Sequence, residues 1–250
     1  MRLTSEVYVV GGGANLCFGL SDDPDCHVYL LDGGDEYALI DCGMAAGRSL
    51  DRIAENILRE GLDLTRLRTL ILTHYHMDHA GGAAAVRERF GLQVWAPRGA
   101  VAALRTGDEA AVALDVAKAA GFYAADYRFT PVAVDRELDE GDRLRVGDLE
   151  LEVIDTPGHC DGHVSYLMRG RERRALFAGD AVFSGGRVVW QNIHDCSVPA
   201  TIASIQKLRG VEFDSLLPGH AAVVLDGGRR HVELAAAQAD RLGVPGNLTG

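Results

Sequence analysis

The chain has 250 residues, 47% of them apolar and 24% charged, which is ample for a real core and ordinary for a soluble globular protein. Its 36 acidic and 25 basic residues give a net charge of −11, so it lacks the basic surface that a nucleic-acid partner requires. No apolar segment reaches 18 residues, which excludes a membrane-spanning helix.

In chain order, Glu6 to Val10 reads as a strand, followed by Gly11-Gly12-Gly13-Ala14-Asn15. That glycine cluster is neither a dinucleotide fingerprint nor a phosphate loop, and it is read as a turn or bulge. His27 to Leu31 and Tyr37 to Ile40 form an expected hairpin around Asp32-Gly33-Gly34-Asp35. Ser49 to Glu60 has Leu50, Ile53, Ala54, Ile57 and Leu58 at helical spacing, with Gly61 as its stop. Leu67 to Leu72 reads as a buried strand, Ala80 to Phe90 as a helix and Gln93 to Ala96 as a strand. The stretch 97–131 is the least regular. Within it Val112, Val116, Ala120 and Tyr123 suggest an amphipathic helix, and Phe122, Tyr123, Tyr127 and Phe129 an aromatic cluster.

The second half opens with strands Arg143 to Val146 and Leu149 to Ile154, joined at Gly147-Asp148. Strands Val164 to Met168 and Ala175 to Phe177 follow, then a helix Pro199 to Leu208, a strand Phe213 to Leu217 and a helix from about Arg229 to Leu242. No repeat, linker or low-complexity tract interrupts the chain, so residues 1–250 are expected to form one α/β domain. Cys17, Cys26, Cys42, Cys160 and Cys196 are odd in number and form no C-x-x-C pair, which fits reduced thiols in a cytoplasm. The N-terminus shows no signal peptide.

The richest stretch is Thr73-His74-Tyr75-His76-Met77-Asp78-His79-Ala80-Gly81-Gly82, directly after the strand ending at Leu72. Side chains two apart at a strand end share a face, so His74 and His76 can point at one ion. The chain must then turn into a helix with Asp78 at its mouth, and Asp78 and His79 can face a second ion. Nitrogen and carboxylate donors suit zinc, manganese or iron. One or two histidines would read as a solvated loop, but three with an aspartate point to a metal.

This run resembles the H-x-H-x-D-H signature of the metallo-β-lactamase superfamily. The superfamily's later ligands are matched in order by His159 in Asp155-Thr156-Pro157-Gly158-His159, Asp180 in Phe177-Ala178-Gly179-Asp180 and His220 in Leu217-Pro218-Gly219-His220. An early Asp-x-Gly motif is matched by Asp41-Cys42-Gly43. The resemblance covers about residues 26 to 220. It implies a four-layer αβ/βα sandwich. It also implies two divalent ions, zinc above iron or manganese. His74, His76 and His159 would hold the first, and Asp78, His79 and His220 the second, with Asp180 as the bridge. Asp78 and Asp180 are then the carboxylates on which catalysis rests, acting through a metal-bridging hydroxide. Asp41 is a candidate outer partner for a ligating imidazole.

The remaining histidines carry less. His163 is expected to be structural, and His27 and His231 have no motif. His194 and Arg187 lie in loops that could reach a substrate, and 97–131 is a candidate pocket wall. Asp180 stands where true β-lactamases typically carry cysteine or serine, which favours the glyoxalase II-like branch. The Ser184-Gly185-Gly186-Arg187 loop is shorter than that enzyme's glutathione-binding loop, however. The expected activity is hydrolysis of a small thioester, ester or lactone, with a mononuclear iron persulfide dioxygenase as the alternative. The expected partner is a small molecule, with neither nucleic acid nor membrane involved.

Overall fold

The computed structural model describes residues 1–249. β1 (Val7–Gly11) pairs antiparallel with β2 (Val28–Asp32), which pairs antiparallel with β3 (Tyr37–Ile40). α1 (Ser49–Arg59) crosses over to β4 (Leu67–Ile71), parallel to β3. α2 (Met77–Ala80) and α3 (Ala83–Phe90) lead to β5 (Gln93–Pro97), and α4 (Arg98–Thr106) and α5 (Leu114–Ala119) lead to β6 (Arg136–Leu138). Both strands run parallel to their predecessors, so the six form one sheet in sequence order.

The second sheet begins as a meander of β7 (Arg143–Val146), β8 (Leu149–Asp155), β9 (Val164–Arg169) and β10 (Arg174–Gly179). After α6 (Val198–Arg209), β11 (Ser215–Pro218) adds in parallel beside β10, and α7 (Arg229–Asp240) follows.

The two-residue period of the strands sets the layering. Val7, Val9, Tyr29, Leu31, Ile40 and Ile71 meet Leu151, Val153, Tyr166 and Phe177 in a core between the sheets. Tyr8, Val10, Leu30, Leu39 and Leu70 point the other way, onto Ile53 and Ile57 of α1, Val86 of α3 and Leu104 of α4. On the far face of the second sheet, Leu167, Leu176 and Leu216 pack on Ile205, Leu208, Val232 and Ala235 of α6 and α7. Helix, sheet, sheet and helix are the four layers expected. Two buried phenols also cross between the sheets: Tyr29 Oη donates to Pro218 O at 2.6 Å and Tyr166 Oη to Leu72 O at 2.5 Å.

Several local expectations need correction. The helix expected over Ala80 to Phe90 is two helices, with Asp78 inside the single turn of α2 rather than at a helix mouth. The break falls at Gly81-Gly82, where the Gly82 amide leaves the helix to bond Gly43 O at 2.8 Å. α4 and β6 lie outside the expected elements; α4 buries mostly small residues, Ala100, Val101, Ala103 and Leu104, which leave a weak periodic signal. In α1 the buried stripe runs through Ile53, Ala54, Asn56 and Ile57, leaving Leu58 57% exposed. The glycine cluster after β1 does carry a register shift, between Val9 and Gly11. All five cysteines are free, and no helix among the described residues is long and apolar enough to cross a membrane.

Candidate metal centre

Strand ends position every candidate ligand. His74 and His76 follow β4, and His76, in extended backbone, is the N-cap of α2, which carries Asp78 and His79 in its one turn. His159 lies on the loop between β8 and β9, Asp180 immediately follows β10, and His220 lies two residues beyond β11. The site is therefore built from both sheets, at one end of the sandwich. Two glycines permit the crowding. Gly179 has φ +48°, and a Cβ there would lie 2.6 Å from His163 Nε2. A Cβ on Gly219 would lie 2.3 Å from Asp180 Oδ1 and 2.5 Å from His79 Cε1.

The structure brings all seven residues together. His74, His76 and His159 converge, with His76 Nδ1 2.8 Å from His159 Nε2. Asp78, His79 and His220 form a second group, with His220 Nε2 3.0 Å from Asp78 Oδ2 and 3.3 Å from His79 Nε2. Asp180 faces both groups: its Oδ1 is 3.3 Å from His79 Nε2, and its Oδ2 is 3.6 Å from His159 Nε2 and 3.7 Å from His220 Nε2. His74 Nε2 and Asp180 Oδ1 are buried without a hydrogen-bond partner. Buried polar atoms left bare cost on the order of 1–3 kcal/mol each unless something binds them. Converging bare nitrogens and carboxylate oxygens fit divalent cations of the zinc, manganese or iron type.

The surroundings orient the rings. Asp41, at φ +57° after β3, accepts from His79 Nδ1 at 2.8 Å, from the Thr73 amide at 2.8 Å and from Thr73 Oγ1 at 2.8 Å. Thr73 Oγ1 in turn lies 2.9 Å from His74 Nδ1. This is the outer-partner arrangement anticipated for Asp41. Burial, reinforced by neighbouring imidazoles, holds His74 and His159 neutral, well below the usual histidine range. Burial also opposes charge on His79 and His220, but the facing Asp180 and Asp78 outweigh it and lift His220 to about 10 and His79 well above its usual value. Burial raises the thiols of Cys26 and Cys160, so both stay protonated beside the site.

His163 is buried, with Nδ1 2.9 Å from Thr156 Oγ1 and Nε2 accepting from the Asp180 amide at 3.0 Å, a positioning role for the loop that carries Asp180. His27 is a core residue bonded to Ala221 O at 2.9 Å, and His231 accepts from the Gly185 amide. His194 is exposed, and the Arg187 guanidinium points at the carbonyls of Asn247 and Leu248. Neither is placed on a ligand. Three contacts escape the sequence reading: Tyr123 Oη donates to Asp78 Oδ1 at 3.3 Å, Cys17 Sγ lies 3.6 Å from His220 Nδ1, and Tyr75 Oη donates to the buried Asp195. Each joins residues far apart in the chain, where local pattern carries no signal.

The chain belongs to the metallo-β-lactamase superfamily, whose family model matches residues 22–220. It is 31% identical over 187 residues to a hydroxyacylglutathione hydrolase of Rhodopseudomonas palustris, covering 74% of this chain and 61% of that protein. It is 30% identical over 232 residues to the acyl-coenzyme A thioesterase MBLAC2 of Gallus gallus, covering 87% of this chain and 79% of that one. These names bear out the glyoxalase II-like branch. The chain spans only 50% to 61% of the length of the Rhodopseudomonas relatives. Among solved structures it resembles BJP-1, a subclass B3 metallo-β-lactamase of Bradyrhizobium japonicum (TM-score 0.71, 24% identity, 97% of this chain and 91% of that one). It also resembles a metallo-β-lactamase family protein of Thermus thermophilus (TM-score 0.73, 21% identity, 96% and 81%). At these identities the likeness is one of fold.

Proposed function

We propose that the chain is a dinuclear metal-dependent hydrolase of small thioesters, esters or lactones. The observation that carries this reading is Asp180, set between a group of three imidazoles and a group of two imidazoles and a carboxylate. His74, His76 and His159 would hold one cation, Asp78, His79 and His220 the other, and Asp180 both. Zinc is the first candidate, with iron or manganese also suited to the donors. Two dications bound there supply a nucleophile from water at neutral pH and positive charge for the oxygen that gains charge as the carbonyl is attacked.

The protein's own part is to hold the reacting groups and present the substrate. Asp41 and Thr73 fix the His79 and His74 rings, and Asp78 and Asp180 provide the negative charge that draws cations in. The Tyr123 hydroxyl, on Asp78 at the Asp78–His220 side, is available to a bound carbonyl or leaving group. Exposed Leu16 and Phe18 flank Cys17, which touches His220, and exposed Phe122 adjoins Tyr123. They offer apolar surface to an acyl chain on that same side. A thioester suits the site best, because a thiolate leaves without being protonated, and both named relatives act on thioesters.

Thioester, ester and lactone panels, assayed with and without chelator, test the proposal. Turnover abolished by chelator and restored by zinc is the expected result. Chelator-insensitive turnover would overturn it, and one iron per chain with oxygen uptake would replace it with the mononuclear dioxygenase.

A further inference from the structure

Every imidazole of the second group has an outer partner for the nitrogen it turns away from the site: Asp41 on His79, and Cys17 close to His220. In the first group, His74 has Thr73. His76 and His159 have none: His76 Nδ1 faces His159 Nε2, and both His76 Nε2 and His159 Nδ1 are buried with no hydrogen-bond partner. Of the two, it is His76 that shares a cluster with a carboxylate outside the seven. Beside it lies Asp195, on the loop before α6, only 4% exposed. Asp195 accepts from Tyr75 Oη through Oδ2, and its Oδ1 is also buried without a partner. No lysine or arginine pairs with this carboxylate among the described residues. His76, Cys160 and Asp195 each bring a donor atom within 4.8 Å of the others. His76 and Asp195 thus each carry a bare buried polar atom, and the two residues share one small cluster.

We propose that Asp195 is the positioning residue for His76, accepting from its Nε2–H and adding negative charge to a first metal position that otherwise has only the shared Asp180. The inference rests on the dinuclear reading above. Its physical basis is a charge asymmetry. The second group contains Asp78 and is backed by Asp41, whereas the first is three neutral rings that share only Asp180. A carboxylate behind His76 fixes the tautomer that leaves Nδ1 free to ligate, makes that nitrogen more basic and offsets part of the cation's charge. Tyr75 occupies the other oxygen and leaves Oδ1 unpaired. Leaving a carboxylate in so buried a setting lowers the stability of the metal-free chain, a cost recovered when the cation binds.

The test is competitive titration of wild type, Asp195→Asn and Tyr75→Phe with zinc against a chromophoric chelator, with thermal melts of the metal-free forms. Asp195→Asn should weaken one of the two zinc affinities by about 10- to 100-fold and leave the other unchanged. Its metal-free melting temperature should equal or exceed that of wild type, because the buried charge is gone. Tyr75→Phe should retain both zinc affinities within about threefold. Unchanged affinities in Asp195→Asn would overturn the inference while leaving the dinuclear reading intact. So would a metal-free Asp195→Asn chain that melts lower or fails to fold, or a Tyr75→Phe chain that reproduces the Asp195→Asn loss, since either makes Asp195 a structural clamp for Tyr75. Wild type binding fewer than two zincs would overturn the dinuclear reading and this inference with it.

Discussion

His79 and His220 face Asp78 and Asp180 across 3.0 to 3.8 Å, whereas His74, His76 and His159 face mainly one another. Single substitutions should therefore separate the two halves of the site. His220→Ala removes a candidate ligand from the second group alone, so metal analysis should show occupancy falling towards one ion per chain, with the proposed hydrolysis falling as well. Full activity in that variant would show that one ion suffices. Asp180→Asn keeps the side chain's size but removes the charge shared by both halves. Removing an outer partner typically costs 10- to 100-fold, so losing this carboxylate should cost more than about 100-fold at neutral pH. Metal analysis should show occupancy of both positions falling, because less negative charge offsets the two dications. Full occupancy with near wild-type turnover would remove Asp180 from the centre of the mechanism. Behind the loop that carries His220, burial depresses His27 to about 4. Its folded value lies below the unfolded one, near 6.5, so unfolding takes up a proton between those limits and stability falls as pH drops from about 6.5 to 4. The contribution is at most about 3.4 kcal/mol. His27→Gln should flatten that part of the stability–pH curve of the metal-free chain, and a curve parallel to wild type would show that His27 is not its source.

The segment between α4 and β6 divides by burial. Phe129 is 5% exposed in the core, Phe122 is 78% exposed, and Tyr123 reaches Asp78 from a half-buried position. Phe129→Ala should therefore cost about 3–5 kcal/mol in chemical denaturation. Phe122→Ala should change stability by no more than about 0.5 kcal/mol while raising KM several-fold for substrates with longer acyl chains. Equal KM values across chain lengths would take Phe122 out of the pocket wall. The sequence reading groups these aromatics together, because pattern alone does not tell a side chain on a loop from one beneath it. Where local pattern decides the outcome, the sequence is a good guide: continuous apolar runs mark β1, β2 and β3, alternation marks β7 and β8, and the H-x-H-x-D-H run places candidate ligands at the end of β4. It fails where the signal is tertiary. The α2–α3 break is set by the Gly82 amide bonding Gly43, and β6, three residues long, forms because β5 lies beside it. Asp195 and Tyr75 are 120 residues apart, so nothing in either neighbourhood announces their bond.

At the scale of the whole molecule, the candidate ligands come in two sets from two sheets. His74, His76, Asp78 and His79 follow β4 in the first, while His159, Asp180 and His220 follow β8, β10 and β11 in the second. Each proposed cation would therefore join the sheets, beside the phenolic bonds from Tyr29 to Pro218 and from Tyr166 to Leu72 that already span them near the same end. Without cations, that end carries bare buried nitrogens and carboxylate oxygens, and His79 and His220 hold protons against the aspartates instead. A ligand present at a thousand times its dissociation constant stabilises a fold by about 4 kcal/mol per site. For a chain of this size that corresponds to roughly 8–16 °C in melting temperature for a single site. Removing metal with chelator should lower the melting temperature by at least this much and should expose amides at the ends of both β4 and β11 to hydrogen exchange. The strands farthest from the site, such as β7, should keep their protection. Exchange confined to the ends of the first sheet would mean that the ions are held by the H-x-H-x-D-H run alone. A chelated chain melting within about 2 °C of the loaded one would mean that the packed phenols and the inter-sheet core, not the metals, hold the two sheets together.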